Sequence, residues 1–520
     1  MHIGIDVGGT NTDAVLMDEA RVRASVKTAT TADVTSGIVT ALRSLIADAD
    51  AEPGALQAVM IGTTHFTNAV VEAKRLMPTA AVRLGLPATQ ALPPLCDWPG
   101  RLRSAIGNHT YLCHGGHEFD GRPISPLDSD ELRRVAEDIG RKGIRSIAVS
   151  SVFSPVNPEF ELEAARIFEQ ELPGVALSLS HEIGRTGLLE RENATIMNAC
   201  LRELAVHIVE AFNAALSESG ITAPVYLSQN DGTLMTVDYA ERYPVATFAS
   251  GPTNSMRGAA FLSGELDCAV VDIGGTTSDV GILQHGFPRE ASVAVDIGGV
   301  RTNFRMPDVF TLGLGGGSLV RTDPTLTLGP DSVGYELTSR ALLFGGDTLT
   351  TSDLAVAAGR AEFGVPSRVA GLDRGLVESG LQRAEEMIAE AVDRMKTSSE
   401  PIPVVVVGGG GSILLQDKLA GASRLVRPDH FAVANAVGAA IAQIGGEVDR
   451  IFSLDQISRD RALDDAKSEA VDKAVGAGAS RSTVEIVDVE EVPLAYLPSN
   501  ATRIRVKAVG DLELARLFGA

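Results

Sequence analysis

Two short apolar runs, each broken by a Gly-Gly turn, punctuate the hydropathy pattern of this chain. IGIDVGGTNTDAVL fills residues 3–16 and VVDIGGTTSDVGIL fills residues 270–283. In each, an apolar strand enters glycines and hydroxyls and a second apolar strand leaves, which predicts a β-hairpin. Residues 21–28 predict a third strand beside the first hairpin. Over 33–48, Val34, Ile38, Val39, Leu42, Leu45 and Ile46 recur at helical spacing behind an Asp cap. The same reading predicts strands at 58–61, 80–86, 146–153, 176–180 and 224–228. It predicts helices ending near 74 and covering 128–141, 159–171, 190–220 and 250–263. The stretch 92–121, rich in Pro, Gly and His, predicts a long loop or insertion. Farther on come helices at 352–358, 379–397 and 432–444, with a buried strand at 403–407 between the last two. After about 451 the character changes: a charged helix at 460–475 and strands at 483–489 and 503–506 predict a small α+β module. Alternating strand and helix is α/β in character.

Composition narrows the class without naming a function. A chain of 520 residues is long enough for two or three domains with sizeable cores. A net charge of −22 argues against a nucleic-acid partner or an anionic membrane surface. It does not bar a phosphate, which backbone amides and Mg²⁺ can hold locally. Cys96, Cys113, Cys200 and Cys268 do not form a disulfide framework in so long a chain. The N-terminus enters a strand with no basic or apolar leader, and no apolar run approaches the roughly 18–20 residues of a membrane span. The expectation is a cytoplasmic protein; a homo-oligomer remains open.

The two hairpins carry the chemistry. One Asp-x-Gly-Gly is ordinary hairpin punctuation; two copies with matching flanks are not. The first supplies Asp6, Gly8, Gly9, Thr10, Asn11, Thr12 and Asp13, the second Asp272, Gly274, Gly275, Thr276, Thr277 and Asp279. Glycine turns let amides approach phosphate oxygens, and hydroxyls add hydrogen bonds. Asp6 and Asp272, just before the turns, suit Mg²⁺ held through water. Asp13 and Asp279, on the return strands, can orient a nucleophile or brace the turn. A third element, VVVVGGGGS at 404–412, offers Gly408, Gly409, Gly410 and Ser412 after a strand. It fails the dinucleotide and phosphate-loop patterns. The order hairpin, insert, hairpin, insert, glycine turn and small-residue helix is that of the sugar kinase, Hsp70 and actin class. This implies two actin-like (ribonuclease H-like) lobes around an ATP cleft, with duplicated phosphate hairpins. Lobes are expected at 1–200 and 201–450, and the terminal module at 451–520.

Several segments resemble the hydantoinase A/5-oxoprolinase family of ATP-dependent enzymes. They are DVGGTNTDAVL at 6–16, IGTTHFTNAVVE at 61–72, ERENATIMNA at 190–199, SQNDGTL at 228–234, SGPTNSMRGAAFLSG at 250–264, DIGGTTSDVGIL at 272–283 and GLGGGS at 313–318. They follow the family's order over roughly residues 1–445. The chain is similar to a short-form member: the family's His-Gly-Thr-Thr start reads Ile61-Gly62-Thr63-Thr64 here, with a histidine at His65 instead. The resemblance implies ATP and Mg²⁺ as cofactors, a cyclic amide such as a hydantoin or oxoproline-like lactam as substrate, and a second enzyme subunit. It also implies that related members activate a ketone or bicarbonate, so a carboxylase component or small-molecule kinase stays open. A non-catalytic nucleotide sensor is the rival of another class. Gly315 and Gly316 join the nucleotide set.

Thr63, Thr64, His65 and Asn68 lie between a strand and a helix, where they can bind substrate or γ-phosphate or simply cap the helix. Arg191 and Asn193 are candidate substrate ligands, the alternative being a solvated helix start. His109, Cys113, His114 and His117, with Asp120, form a loose histidine- and cysteine-bearing stretch that matches no tetrahedral zinc template.

Overall fold

The computed structural model describes residues 1–8, 11–29, 34–291, 294–303, 306–323, 325–495 and 500–513. Gly9 and Thr10 lie outside the described residues. Three sheets dominate. The first has nine strands in the order Glu485–Pro493, Ala501–Gly510, Gln443–Ser453, Thr233–Thr236, Val225–Ser228, Ala58–Thr63, His2–Val7, Asn11–Asp18 and Arg21–Ala29. The second is built on Ser278–Gln284, Cys268–Ile273, Ile402–Val407 and Ala422–Val426. The third is a four-stranded parallel layer ordered His109–His114, Thr79–Leu86, Ser146–Ser151 and Ala176–Leu179.

The first two sheets repeat one plan. In each, an antiparallel hairpin is followed in space by a parallel strand on its first arm: Ala58–Thr63 beside His2–Val7, and Ile402–Val407 beside Cys268–Ile273. These interior strands are buried on both faces, and their near-continuous apolar runs reflect it. The duplication makes this a two-lobed, actin-like α/β fold.

The helix Leu188–Glu218 packs against both the first sheet's core and the parallel layer. Residues Arg191–Leu201 are consecutively buried, so this part of the helix lacks a wet face and carries little amphipathic signal. Helix Arg374–Met395 covers the second sheet, and Arg459–Gly476 lies on Gln443–Ser453 and Ala501–Gly510 with Ala462, Ala466, Ala470 and Ala474 inward. No helix among the described residues is long and apolar enough to cross a membrane.

Three expectations are corrected. The stretch 92–121 contains helix Gly100–Ile106 and strand His109–His114, paired in parallel with Thr79–Leu86. It reads as a loop because the strand is an edge with only Cys113 buried. The helix expected over 432–444 ends at Ala440, and a strand begins at Gln443. Alanine favours helix locally, and the ladder from Ile444↔Gly510 to Ser453↔Ala501 overrides that preference. Finally, sheet membership crosses the boundaries at 200 and 450. Val225–Ser228, Thr233–Thr236 and the C-terminal strands all complete the sheet that His2–Val7 begins, because pairing follows edges in space.

Candidate active site

Each hairpin sets two carboxylates opposite one another. Asp6 pairs with Asp13 across the first ladder and Asp272 with Asp279 across the second. Both turns close with the same bond: Gly8 N–H to Asn11 O at 3.0 Å, and Gly274 N–H to Thr277 O at 2.9 Å. The neighbouring parallel strand presents a glycine to each carboxyl. A Cβ at Gly62, the register partner of Asp6, would stand 2.6 Å from Asp6 Oδ1, and one at Gly408 would collide with Asp272 Oδ1. The turns Thr63–His65 and Gly408–Ser412 therefore occupy equivalent places in the two lobes.

Residues that the sequence reading missed join these carboxylates. Asn435 Nδ2 donates to Asp6 Oδ2 at 3.0 Å and to Asp13 Oδ2 at 2.8 Å. Lys27 Nζ pairs with Asp13 at 2.8 Å, donates to Ala432 O at 3.2 Å, and lies beside Gly409. Asn254 is buried close to Gly62 and Asp6, and its side chain acts on the Asp6 carboxyl against the rise that burial causes. The available signal was a lone Asn in each of two small-residue helices, ANAVGAA and SGPTNSMRG.

Burial and mutual repulsion raise three of the four carboxyls. Burial, then the charge of Asp13, pushes the Asp6 carboxyl up to about 6, and Asp272 adds to the rise. Burial also raises Asp272, with Lys27 opposing and Asp13 assisting. Asp279 is pushed up to about 6 by burial, against a 2.6 Å hydrogen bond from Thr311 Oγ1. The carboxylates of the two hairpins thus sense each other, Asp272 raising Asp6 and Asp13 raising Asp272.

A group with a raised folded pKa adds stability at low pH that disappears as pH rises through the folded value. For Asp6 that window runs from about 4 to about 6. Asp6→Asn is therefore expected to stabilise the nucleotide-free protein at pH 8, by at most roughly 2–3 kcal/mol, and to leave it unchanged near pH 4. Thermal midpoints at the two pH values check this; equal shifts at both would contradict it. Asn435→Ala removes two charge-assisted bonds, each worth about 1.5–3 kcal/mol at most. It is expected to cut ATP turnover by roughly tenfold or more and to move the acid limb of the pH–rate profile upward, because Asp6 then protonates more easily. An unshifted limb would remove Asn435 from the site.

The remaining candidates divide. Thr63 Oγ1 bonds His65 Nδ1 at 2.6 Å, Thr64 Oγ1 donates to Val7 O at 3.4 Å, and Asn68 Nδ2 donates to Thr64 Oγ1 at 3.4 Å. Ser250 Oγ donates to Thr63 O at 3.4 Å, and Gly251 neighbours both Thr64 and Asp6. This turn therefore borders the carboxylates. Burial lowers His65 to about 4, leaving its imidazole neutral. In the second hairpin the N–H groups of Gly275 and Thr276 donate to no acceptor among the described residues, and both residues are exposed. Asn11 is also exposed at the first turn, while Thr12 is buried. Ser412 Oγ donates to Gly409 O at 3.1 Å, bracing the turn that Gly410 opens.

Four residues are corrected. Gly315 N–H donates to Ser318 Oγ and Gly316 N–H to Gly274 O, while Thr351 and Ser352 hydroxyls occupy their carbonyls. Their backbone groups brace the second hairpin instead of facing a ligand. Arg191 is fully buried, and its guanidinium donates to Ser180 Oγ, Ser151 O, Arg185 O and Thr186 O. Asn193 accepts from Trp98 Nε1 and donates to Asp97 and Arg301 O. Both polar side chains knit the start of the long helix to its surroundings.

The histidine–cysteine stretch spreads out. Burial pushes the Cys113 thiol up to about 12, His114 Nδ1 lies 3.2 Å from Glu131, and His117 stacks on Phe160. Among the described residues no three His, Cys, Asp or Glu side chains converge on a metal position.

Comparison with known proteins adds lineage to this geometry. Residues 2–172 match the family model described as hydantoinase/oxoprolinase N-terminal region, and residues 191–363 match that described as hydantoinase/oxoprolinase. The chain is 26% identical over 428 residues to an uncharacterised protein of Methanocaldococcus jannaschii, covering 76% of this chain and 62% of that one. It is 27% identical over 366 residues to caprolactamase subunit alpha of Pseudomonas jessenii, covering 64% and 51%. It thus spans between about half and three fifths of these relatives' lengths. The crystal structure of the ATP-dependent caprolactamase superposes with a TM-score of 0.80 at 19% identity, over 99% of this chain and 88% of that one. Nucleotide-free acetone carboxylase superposes with a TM-score of 0.70 at 18% identity, over 98% and 88%.

Proposed function

The chain belongs to the hydantoinase/oxoprolinase family, and from that premise we propose that it uses ATP and Mg²⁺ to open a cyclic amide such as a hydantoin or oxoproline-like lactam, together with a second subunit. The observation that carries this is the pair of register-matched hairpins that set Asp6 opposite Asp13 and Asp272 opposite Asp279, with the buried Asn254 beside Asp6. Those residues fit a hydrated divalent cation, since Mg²⁺ keeps much of its water shell and binds through one or two carboxylates.

Magnesium nucleotide, when bound, supplies a phosphoryl group to activate the amide oxygen and the positive charge that offsets its transfer. Asp6 and Asp272 would hold the cation, which would supply positive charge beside the phosphates. Gly275 and Thr276 amides, with Gly8, Asn11 and Thr12 of the first hairpin, would take phosphate oxygens. Gly408–Gly410 and Ser412 form the adenosine side, while Gly315 and Gly316 hold the second turn in shape. Thr63, Thr64 and neutral His65 present hydroxyls and an uncharged ring to the acceptor, and Asn68 fixes Thr64. Asp13 and Asp279 orient the reacting groups. An unstrained amide resists water, so placing its oxygen in line with the phosphoryl group is the main contribution of these residues.

The superposition with acetone carboxylase favours one second reading, a carboxylase component using the same cleft. The test is turnover of purified protein, with and without its partner subunit, on hydantoin, 5-oxoproline and caprolactam, and on acetone with bicarbonate. Phosphate released in equal amount to ring-opened acid supports the proposal. Carboxylated product supports the second reading, and no turnover on any acceptor despite nucleotide binding leaves a nucleotide sensor.

A further inference from the structure

A single lysine joins the first sheet to the second. Lys27 lies on Arg21–Ala29 as the register partner of Asp13, and register partners leave an antiparallel pair on the same face. Its Nζ lies 2.8 Å from Asp13 Oδ1 and 2.9 Å from Oδ2, and it donates to Ala432 O at 3.2 Å. Ala432 belongs to the turn Phe431–Val433, which Gly408 N–H ties to the second sheet through a 3.0 Å bond to Phe431 O. Gly408 in turn abuts the Asp272 carboxyl. One ammonium therefore connects a carboxylate of the first hairpin to the glycine turn beside the second. Its charge reaches Asp272 as well, where it opposes the rise that burial causes.

These contacts leave the ammonium able to take a further partner. It carries three N–H donors, and its acceptors among the described residues are the Asp13 carboxylate and Ala432 O. The Lys27 side chain is 36% exposed, whereas that of Asp13 is 4% exposed, so the open side belongs to the lysine. Asp13 also accepts from Asn435 at 2.8 Å; Lys27 thus brings it charge and not a missing hydrogen bond. Gly409 runs alongside, where a Cβ would stand 3.7 Å from Cε and 3.8 Å from Nζ. The Gly409 N–H has no acceptor among the described residues, so an ammonium and an open amide lie together at this turn. Backbone amides gathered at a turn recognise anions, and an ammonium binds phosphate as a point charge that needs no bidentate geometry. The hairpins meanwhile contribute four carboxyls, Asp6, Asp13, Asp272 and Asp279. A phosphate chain set beside them is favoured by a fixed positive charge.

We propose that Lys27 is a nucleotide-binding residue whose ammonium, braced by Asp13 and the Ala432 carbonyl, gives its remaining N–H to a phosphate oxygen of the nucleotide at the Gly408-Gly409 turn. The contact deepens the ATP reading proposed above and rests on it for the ligand. Asp13 then has a second task besides orienting the reacting groups: it holds the ammonium in place.

The test uses the full-length protein and three ligands that share one nucleoside. Adenosine is followed by ligand-observed NMR, and ADP and AMP-PNP, each with Mg²⁺, by calorimetry. Lys27→Met keeps the aliphatic stem and removes the charge. It is expected to leave adenosine binding unchanged and to weaken AMP-PNP, alone or together with ADP, by roughly ten- to a hundredfold, the worth of one charge-assisted hydrogen bond. A loss confined to AMP-PNP places the contact on the terminal phosphate. Lys27→Arg, which keeps the charge, is expected to recover most of the loss. Wild-type affinity of Lys27→Met for both nucleotides overturns the contact and leaves the ATP cleft standing. A loss of equal size for adenosine and the nucleotides also overturns it, because Lys27 is then only a strut between the lobes. Failure of the wild-type protein to bind either nucleotide overturns the contact and the proposed cofactor together.

Discussion

Asp272→Ala lowers ATP turnover by roughly 10²–10⁴-fold and leaves the thermal midpoint unchanged or slightly higher. The magnitude is that of removing a charge-positioning group from a phosphoryl-transfer site. The unchanged fold follows from burial: Asp272 is held above its ordinary carboxylate range in the ligand-free cleft, so its loss relieves a penalty. Gly408 still packs beside the shortened side chain. Turnover by Asp272→Ala within about tenfold of wild type, measured as phosphate release at saturating Mg²⁺, would sink the assignment of the second hairpin. Asp6→Asn provides the matching measurement on the first.

Gly438→Ala has the opposite profile: it damages fold and site together. Helices Ser250–Ser263 and Ala434–Ala440 cross so closely that a Cβ at Gly438 would collide with the Asn254 carbonyl, and one at Gly258 with the Ala434 carbonyl. Backbone cannot retreat as a flexible side chain can, so overpacking here costs at least the 1–3 kcal/mol typical of cores, and more where both partners are helical backbone. The same displacement pulls Asn435 from Asp6 and Asp13 and moves Asn254 from its place beside Gly62. A fall in thermal midpoint accompanied by a loss of turnover larger than the unfolded fraction explains is the expected outcome. A stable, fully active Gly438→Ala would mean that the crossing does not position the carboxylates.

The two hairpins were legible because everything that makes them is local. Apolar alternation, a Gly-Gly turn and a carboxylate at fixed offset lie within fourteen residues, and the register pairs Asp6↔Asp13 and Asp272↔Asp279 follow from that spacing. The helices 129–141 and 159–171 were equally readable, each with one buried face. Arg191 and Asn193 misled for a physical reason. Polar residues at a helix start look available, but this helix is enclosed on two sides, and their hydrogen-bonding capacity is used internally. The edge strand His109–His114 was missed because it buries a single side chain.

By itself the sequence determined the two Gly-Gly hairpins, their four acidic residues, and the strands that carry them. Tertiary structure alone decided which side chains complete the site. Asn435 and Lys27 reach Asp13 from positions 422 and 14 residues away, and Asn254 reaches the corner by Asp6 only because glycines let two helices touch. Sheet membership was also beyond local reading, since the C-terminal strands join the N-terminal sheet. Local patterns record what a segment buries; they do not record what it is buried against, and the site depends on the second.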